Sequence, residues 1–187
     1  RTTSLTITTN DPDSGDMVRT YVINGTGVVS TLSTPLTMAF GNVDISTAGG
    51  STQNLTLSNT GGATLNISRL QIIGDAGNNF TFAFANCPAG VQDCPSPTIP
   101  PIAATTGTAQ ITLRCDPTTT GPKSGTLRIS SDDPASPRDV SLSCNGTTPD
   151  ITVSPTTLAD FGSQRVGVTS LTTRPFTITN PTSATAA

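Results

Sequence analysis

The 187-residue chain has no histidine and no tryptophan, a single tyrosine and a single lysine, Lys123. Each absence removes a class of function. Without histidine there is no imidazole base for a Ser- or Cys-based triad. One Tyr and no Trp leave almost nothing with which to line an aromatic sugar cleft. Only 11% of residues are charged and the formal net charge is −3, so no basic patch exists for nucleic acid or an anionic membrane. No apolar run approaches the ~18 residues of a spanning helix, and no membrane insertion is expected. The inventory predicts no enzyme activity and no cofactor.

Threonine is plentiful, at 37 positions, alongside 17 Gly and 15 Pro. Threonine suits exposed strand faces, and all three disfavour helix. The apolar residues agree, because they alternate: Leu5-x-Ile7, Leu55-x-Leu57, Leu65-x-Ile67, Phe80-x-Phe82-x-Phe84, Ile111-x-Leu113, Leu127-x-Ile129 and Val140-x-Leu142. Period two is the mark of half-buried strands. Turn residues separate the clusters at Thr60-Gly61-Gly62, 74–79, 118–122 and Asp132-Asp133-Pro134. The pattern predicts seven antiparallel strands, near 33–40, 51–59, 64–73, 79–85, 108–114, 124–131 and 138–145. That is an all-β, immunoglobulin-like antiparallel β-sandwich. The proline-rich stretch from Pro88 to Pro101 is excluded as a central strand and reads as a long crossover loop.

The chain also matches itself at a spacing of about 121 residues. Ser4–Pro12, ending in Asn24-Gly25-Thr26, recurs as Thr126–Pro134, ending in Asn145-Gly146-Thr147. Phe40-Gly41 recurs as Phe161-Gly162, and Leu55-x-Leu57-x-Asn59 as Phe176-x-Ile178-x-Asn180. A fixed period marks tandem repeats. The boundaries that follow are 1–27 for the C-terminal part of one module, 28–148 for a complete module, and 149–187 for the N-terminal part of the next. Two expectations compete for the outer parts. Either the chain is a piece of a longer covalent array or a processed product, or half-modules of neighbouring copies pair head to tail. The first is preferred, because the strands matching 67–123 are missing from any hybrid.

All four cysteines, Cys87, Cys94, Cys115 and Cys144, fall in the complete module. An even count without histidine favours disulfides over zinc, and with them a secreted or surface location. Of the three connectivities, strand parity favours 87–94 with 115–144. Cys115 follows Ile111 and Leu113 at period two, and Cys144 follows Val140 and Leu142, so both face inward. The position matching Cys144 in the first part is Ile23, also apolar. Free buried thiols in a cytosolic protein are the alternative.

Phe40-Gly41-Asn42-Val43, Leu55–Gly61, Arg114-Cys115-Asp116-Pro117 with Gly121-x-x-Ser124-Gly125-Thr126-Leu127-x-Ile129, and Val140–Thr147 occur in an order that resembles the ASH/MSP-like immunoglobulin modules. The similarity is greatest to the bacterial choice-of-anchor D repeats. An aromatic usually stands where this chain has Cys115. The resemblance implies secreted or surface-exposed, tandemly arrayed structural modules and supplies no catalytic residues.

Remaining motifs are weaker. Asp11, Asp13 and Asp16 alternate like part of a calcium loop. The matching turn, Asp132 to Pro137, loses the alternation, no bidentate Glu follows, and an ordinary turn is the plainer reading. Asn24, Asn54, Asn66, Asn79 and Asn145 head Asn-x-Ser/Thr triplets, which are glycan acceptors in a eukaryotic secretory setting and frequent by chance in so Thr-rich a chain. The expected function is a spacer or building block of a bacterial surface protein or fibre, with neighbouring copies of the module as partners. The alternative is an adhesin or carbohydrate-binding module that uses the loops 74–79 and 87–101 at the sandwich ends.

Overall fold

The structure is a computed structural model that describes every residue except 11, 13, 14, 16, 98, 99, 158, 159, 170–172 and 181–187. Fourteen strands and no helix are present among the described residues. Strands β1 (Thr2–Thr8) and β2 (Val18–Asn24) form a separate hairpin. Ten strands then build the sandwich. They are β3 (Leu32–Ser33), β4 (Thr37–Asp44), β5 (Ser51–Asn59), β6 (Ile67–Ile73), β7 (Phe80–Phe84), β8 (Cys87–Val91), β9 (Asp93–Pro95), β10 (Thr108–Cys115), β11 (Gly121–Ser131) and β12 (Arg138–Thr147). Last come β13 (Thr152–Ser154) and β14 (Thr177–Thr179), paired only with each other.

One sheet has the order β3-β5-β10-β7-β8 and the other β4-β12-β11-β6-β9. Alternation drives the apolar residues of each strand to one face, and the two faces close on each other. The first sheet contributes Leu55, Leu57, Phe80, Phe82, Ile111 and Leu113; the second contributes Phe40, Leu70, Leu127, Ile129, Val140 and Leu142. Phe40 and Phe80 meet across the gap with ring centroids 5.9 Å apart. The chain is an immunoglobulin-like β-sandwich, as the alternation predicted.

Two strands interrupt their alternation to keep the core filled. In β4 both Phe40 and Val43 are buried although three residues apart. An extra β4 residue makes this possible, since Ser143 pairs with Ala39 but Asn145 with Asn42. Gly41 sits in the bulge at φ +71, a conformation costly for residues with a Cβ. Gly162 of the repeated Phe-Gly pair also has a positive φ, +65, although it lies outside any strand. In β6 a bulge opposite Ser130 and Ser131 lets both Ile67 and Leu70 point inward.

The structure corrects three details of the sequence reading. The stretch 33–40 is two strands in different sheets, because the chain switches sheet around Pro35, which cannot donate to a ladder. Strand β4 then runs parallel to β12, the one exception to the expected antiparallel pairing. The segment 87–101 is not simply a crossover loop. Its first part forms β8 and β9, which edge opposite sheets, and edges are where proline is tolerated.

The flanking hairpins use pairings also found in the sandwich. β1–β2 is antiparallel like β11–β12, and β13–β14 like β3–β5. In β1–β2, Leu5 lies opposite Tyr21 and Thr3 opposite Ile23. Leu5, Ile7, Tyr21 and Ile23 therefore share one face, which is 44 to 51% exposed.

A substitution at Gly41 tests the bulge. An added Cβ meets no atom within 4 Å, so the cost of Gly41→Ala is conformational alone. We expect it to lower stability by about 1–2 kcal/mol in urea denaturation, with an unchanged far-ultraviolet spectrum.

Candidate functional site

The functional geometry of this sandwich lies at its two poles and in the covalent links between its sheets. At the N-terminal pole the incoming segment 28–33 is fixed by three side chains. Asn59 ends β5 and is 1% exposed. Its Oδ1 accepts from the Thr31 and Gly61 N–H groups at 3.3 and 3.0 Å, and its Nδ2 donates to the Ala63 and Ile102 carbonyls at 2.8 and 3.0 Å. A buried amide thus finds a partner for each of its capacities, as burial demands. Asp133 Oδ2 accepts from the Leu32 N–H at 2.8 Å and Oδ1 from the Ala135 N–H at 2.8 Å. Asp132 Oδ1 accepts from Ser30 Oγ and from the Asn66 N–H, both at 2.9 Å, and Oδ2 from Asn66 Nδ2 at 2.6 Å. Backbone bonds from Ala63 N–H to Val29 O and from Thr60 N–H to Thr31 O complete the latch. Gly61 packs so closely on Val29 and Ser30 that a Cβ there would overlap their backbone.

Burial opposes ionisation of Asp132, but the Asn66 N–H, the Asn66 amide and the Ser30 hydroxyl outweigh it and hold the carboxyl below its ordinary 3.8. Charge-assisted bonds of this kind exceed neutral ones. Asp93 and Asp139 are also lowered, chiefly by hydrogen bonds from Arg69 and Arg128. Arg69 Nε and Nη2 lie 2.9 and 2.8 Å from the Asp93 oxygens, and Arg128 grips Asp139 in the same two-pronged way.

Two disulfides join the sheets. Cys87 on β8 is bonded to Cys94 on β9, and Cys115 on β10 to Cys144 on β12. The first links two adjacent edges. The second crosses the core, with Cys115 fully buried and Cys144 nearly so. Both sulfurs of the second pair point where strand parity placed them.

At the C-terminal pole β12 ends in buried Thr147, whose carbonyl accepts from the Ile45 N–H at 2.9 Å. The loop 74–79 is organised by Asp75, which accepts from Asn79 Nδ2, the Phe80 N–H and Gln92 Nε2. Beside it lies a 460 Å³ polar depression lined by Asp75, Asn79, Thr119, Lys123 and Ser124 among others. No aromatic side chain lines it.

The triplet asparagines divide by burial. Asn24, Asn54 and Asn66 are exposed and Asn145 is half-buried. Asn79 is 7% exposed, with its amide nitrogen on Asp75. It is no glycan acceptor in the folded domain, because an attached sugar needs that nitrogen and open space. Asp11, Asp13 and Asp16 lie outside the described residues. Among the described residues no group of three side chains is arranged to hold a metal ion.

The sequence reading passed over the latch. Asn59 and the Asp-Pro turn stood in the self-match, as Asn180 and Asp11-Pro12, but their partners are far away in the chain. Strand parity turned Cys115 and Cys144 inward, which left Cys87 and Cys94 as the second pair. The segment 87–101, read as a crossover loop and named as a binding loop only in the alternative reading, is edge strand over Cys87–Val91 and Asp93–Pro95.

No protein family and no curated protein matches the chain. Among solved structures, it is similar to an ASH/PapD-like domain of human CEP192, at 9% identity and TM-score 0.42 over 65% of this chain and 89% of that one. It is similar to the secreted serine protease VesC from Vibrio cholerae, at 18% identity and TM-score 0.44, over 65% of this chain but only 24% of the protease. The CooA pilin subunit from enterotoxigenic Escherichia coli matches at 10% identity and TM-score 0.36, over 63% of this chain and 98% of the pilin. These are distant likenesses of fold.

The lowered carboxyls fix the sign of the pH dependence. Their contribution is fully present above the ordinary value of 3.8 and is lost as pH falls through their lower folded values. Thermal stability should be flat from neutrality down to about pH 4.5 and then decline. Asp132→Ala should cost about 1–2 kcal/mol at pH 7 and flatten part of that acid decline, as read by thermal melts across pH.

Proposed function

We propose that this chain is a structural, extracellular repeat: a spacer or building block of a surface protein or fibre, with the C-terminal part of one module at 1–27, a complete module at 28–148 and the N-terminal part of the next at 149–187. The observation that carries the reading is the path of the chain through the sandwich. Because β4 and β12 are parallel, the chain comes in at one pole and leaves at the other, and it is pinned at both. Such a unit adds length to an array, about 30–40 Å for strands of this size. Two disulfides suit an oxidising compartment. They also limit unfolding, since cross-linking removes entropy from the denatured chain. The partners are neighbouring copies of the module, joined in one chain or head to tail between chains. A bacterial cell surface and tandem arraying agree with the family resemblance.

A second reading, an adhesin or carbohydrate-binding module, draws on the polar depression beside loop 74–79. Hydroxyls, an amide, a carboxylate and the single lysine converge there. It lacks the stacking surface that sugars favour, so we rank it below the structural role. A glycan array with the full chain separates the two.

Electron microscopy of the parent material tests the structural reading. We expect rods or filaments with an axial repeat of about 30–40 Å per module. Compact isolated particles would contradict it.

The disulfides carry a stability prediction. With sequence separations of 29 and 7, the chain-entropy account gives about 3.6 kcal/mol for Cys115–Cys144 and about 2.4 kcal/mol for Cys87–Cys94. Replacing each pair by alanine should destabilise in that order in urea denaturation. Equal midpoints for wild type and both variants would remove the covalent brace from the account.

A further inference from the structure

We propose that the sandwich is a tension-bearing clamp, strongest when its flanking chains are pulled apart along the axis from pole to pole. The inference deepens the structural reading and goes beyond a passive spacer. It starts from the parallel pairing of β4 with β12, which runs from Ser141 opposite Thr37 to Thr147 opposite Asp44. The Ser141 N–H donates to Leu36 O and the Ile45 N–H to Thr147 O, each at 2.9 Å, so the pairing is closed at both ends.

Tension on residues before Val29 reaches β4 through its N-terminal end. Tension on residues after Thr147 reaches β12 through its C-terminal end. In a parallel pair these ends lie at opposite poles, so the strands are drawn past each other lengthwise. Every bond of the ladder is then loaded at once and must yield together. Were the strands antiparallel, both pulls would act at one end and the bonds would open singly. Each bond is worth only about 1 kcal/mol net, so simultaneous loading is what gives resistance. The latch at Asn59, Asp132 and Asp133 stands in series with this ladder. It keeps the pull from peeling β3 away first.

The disulfides set what happens after the ladder yields. Cys144 lies three residues before Thr147 on the same strand. The covalent bond therefore hands the load to Cys115 in the middle of the opposite sheet. The stretch between them is never extended, and neither is the stretch from Cys87 to Cys94. With separations of 29 and 7, the two bonds withhold 36 residues from extension. At ~3.5 Å per residue that is about 130 Å of chain held back.

Single-molecule pulling on the full chain tests this. In one geometry the handles are attached at residues 1 and 187. In the other they are at residue 1 and at Ala135, exposed in the β11–β12 turn, through an azide-bearing side chain that leaves the cysteines alone. The second geometry draws on the same fold but parts β4 from β12 at the Leu36–Ser141 end. We expect a higher unfolding force in the first geometry, and an end-to-end extension that lengthens by about 130 Å when reductant is added. Equal forces in the two geometries would overturn the clamp, and an extension insensitive to reductant would overturn the disulfide load path. Either failure leaves the microscopy of native filaments untouched, so loss of the clamp is distinguishable from loss of the structural role.

Discussion

The buried side-chain amide of Asn59 is the point on which this sandwich depends. It holds the turn after β5, the incoming segment at Thr31 and the loop at Ile102 with four hydrogen bonds. The Ile102 carbonyl also accepts from the Leu65 N–H at 3.0 Å, whereas the Thr31 and Gly61 N–H groups rely on the Asn59 side chain, and an unpaired group in a buried pole would cost about 1–3 kcal/mol. Asp132 and Asp133 extend the same solution to Ser30, Leu32 and Asn66. With the incoming segment fixed, β3 closes one sheet, the chain crosses at Pro35, and β4 is aimed along β12. The parallel pair, the opposed poles and the lengthwise path of the chain all follow from that start.

Much of the fold was legible because its rules are local. Period two located β5, β7, β10, β11 and β12 to within a few residues, and the same parity turned Cys115 and Cys144 inward. The Phe40-Gly41 pair was visible as a repeat before its meaning was; only the backbone shows that Gly41 relaxes a bulge so that Phe40 and Val43 share the core. What escaped was non-local. Strands β8 and β9 are too short to show alternation, and their prolines excluded only a central place. The split between β3 and β4 and the parallel partner of β4 depend on β12, about a hundred residues on. Asp132 and Asp133 read as turn formers, which they are, while Ser30 and Leu32 lie 102 and 101 residues away. Asn79 carries a glycan triplet in the sequence, yet Asp75 and the fold bury it.

The surface chemistry points the same way as the frame. Threonine and serine cover the strands, and the two-pronged charge pairs, Arg69–Asp93 and Arg128–Asp139, brace neighbouring strands. Exposed pairs of this kind add little stability individually. Stability comes instead from a continuous two-sheet core, two cross-sheet disulfides and the hydrogen bonds of Asn59, Asp132 and Asp133 at the N-terminal pole.

Amide hydrogen exchange tests the central claim most directly, that residues 29–33 belong to the folded domain and are not a linker. The Thr31, Leu32 and Gly61 amides donate to Asn59 and Asp133. They should exchange only with global unfolding, as slowly as core amides of β10, and much more slowly than the exposed amides at 26–28. Exchange of Thr31 and Leu32 at the rate of those exposed neighbours would contradict the account.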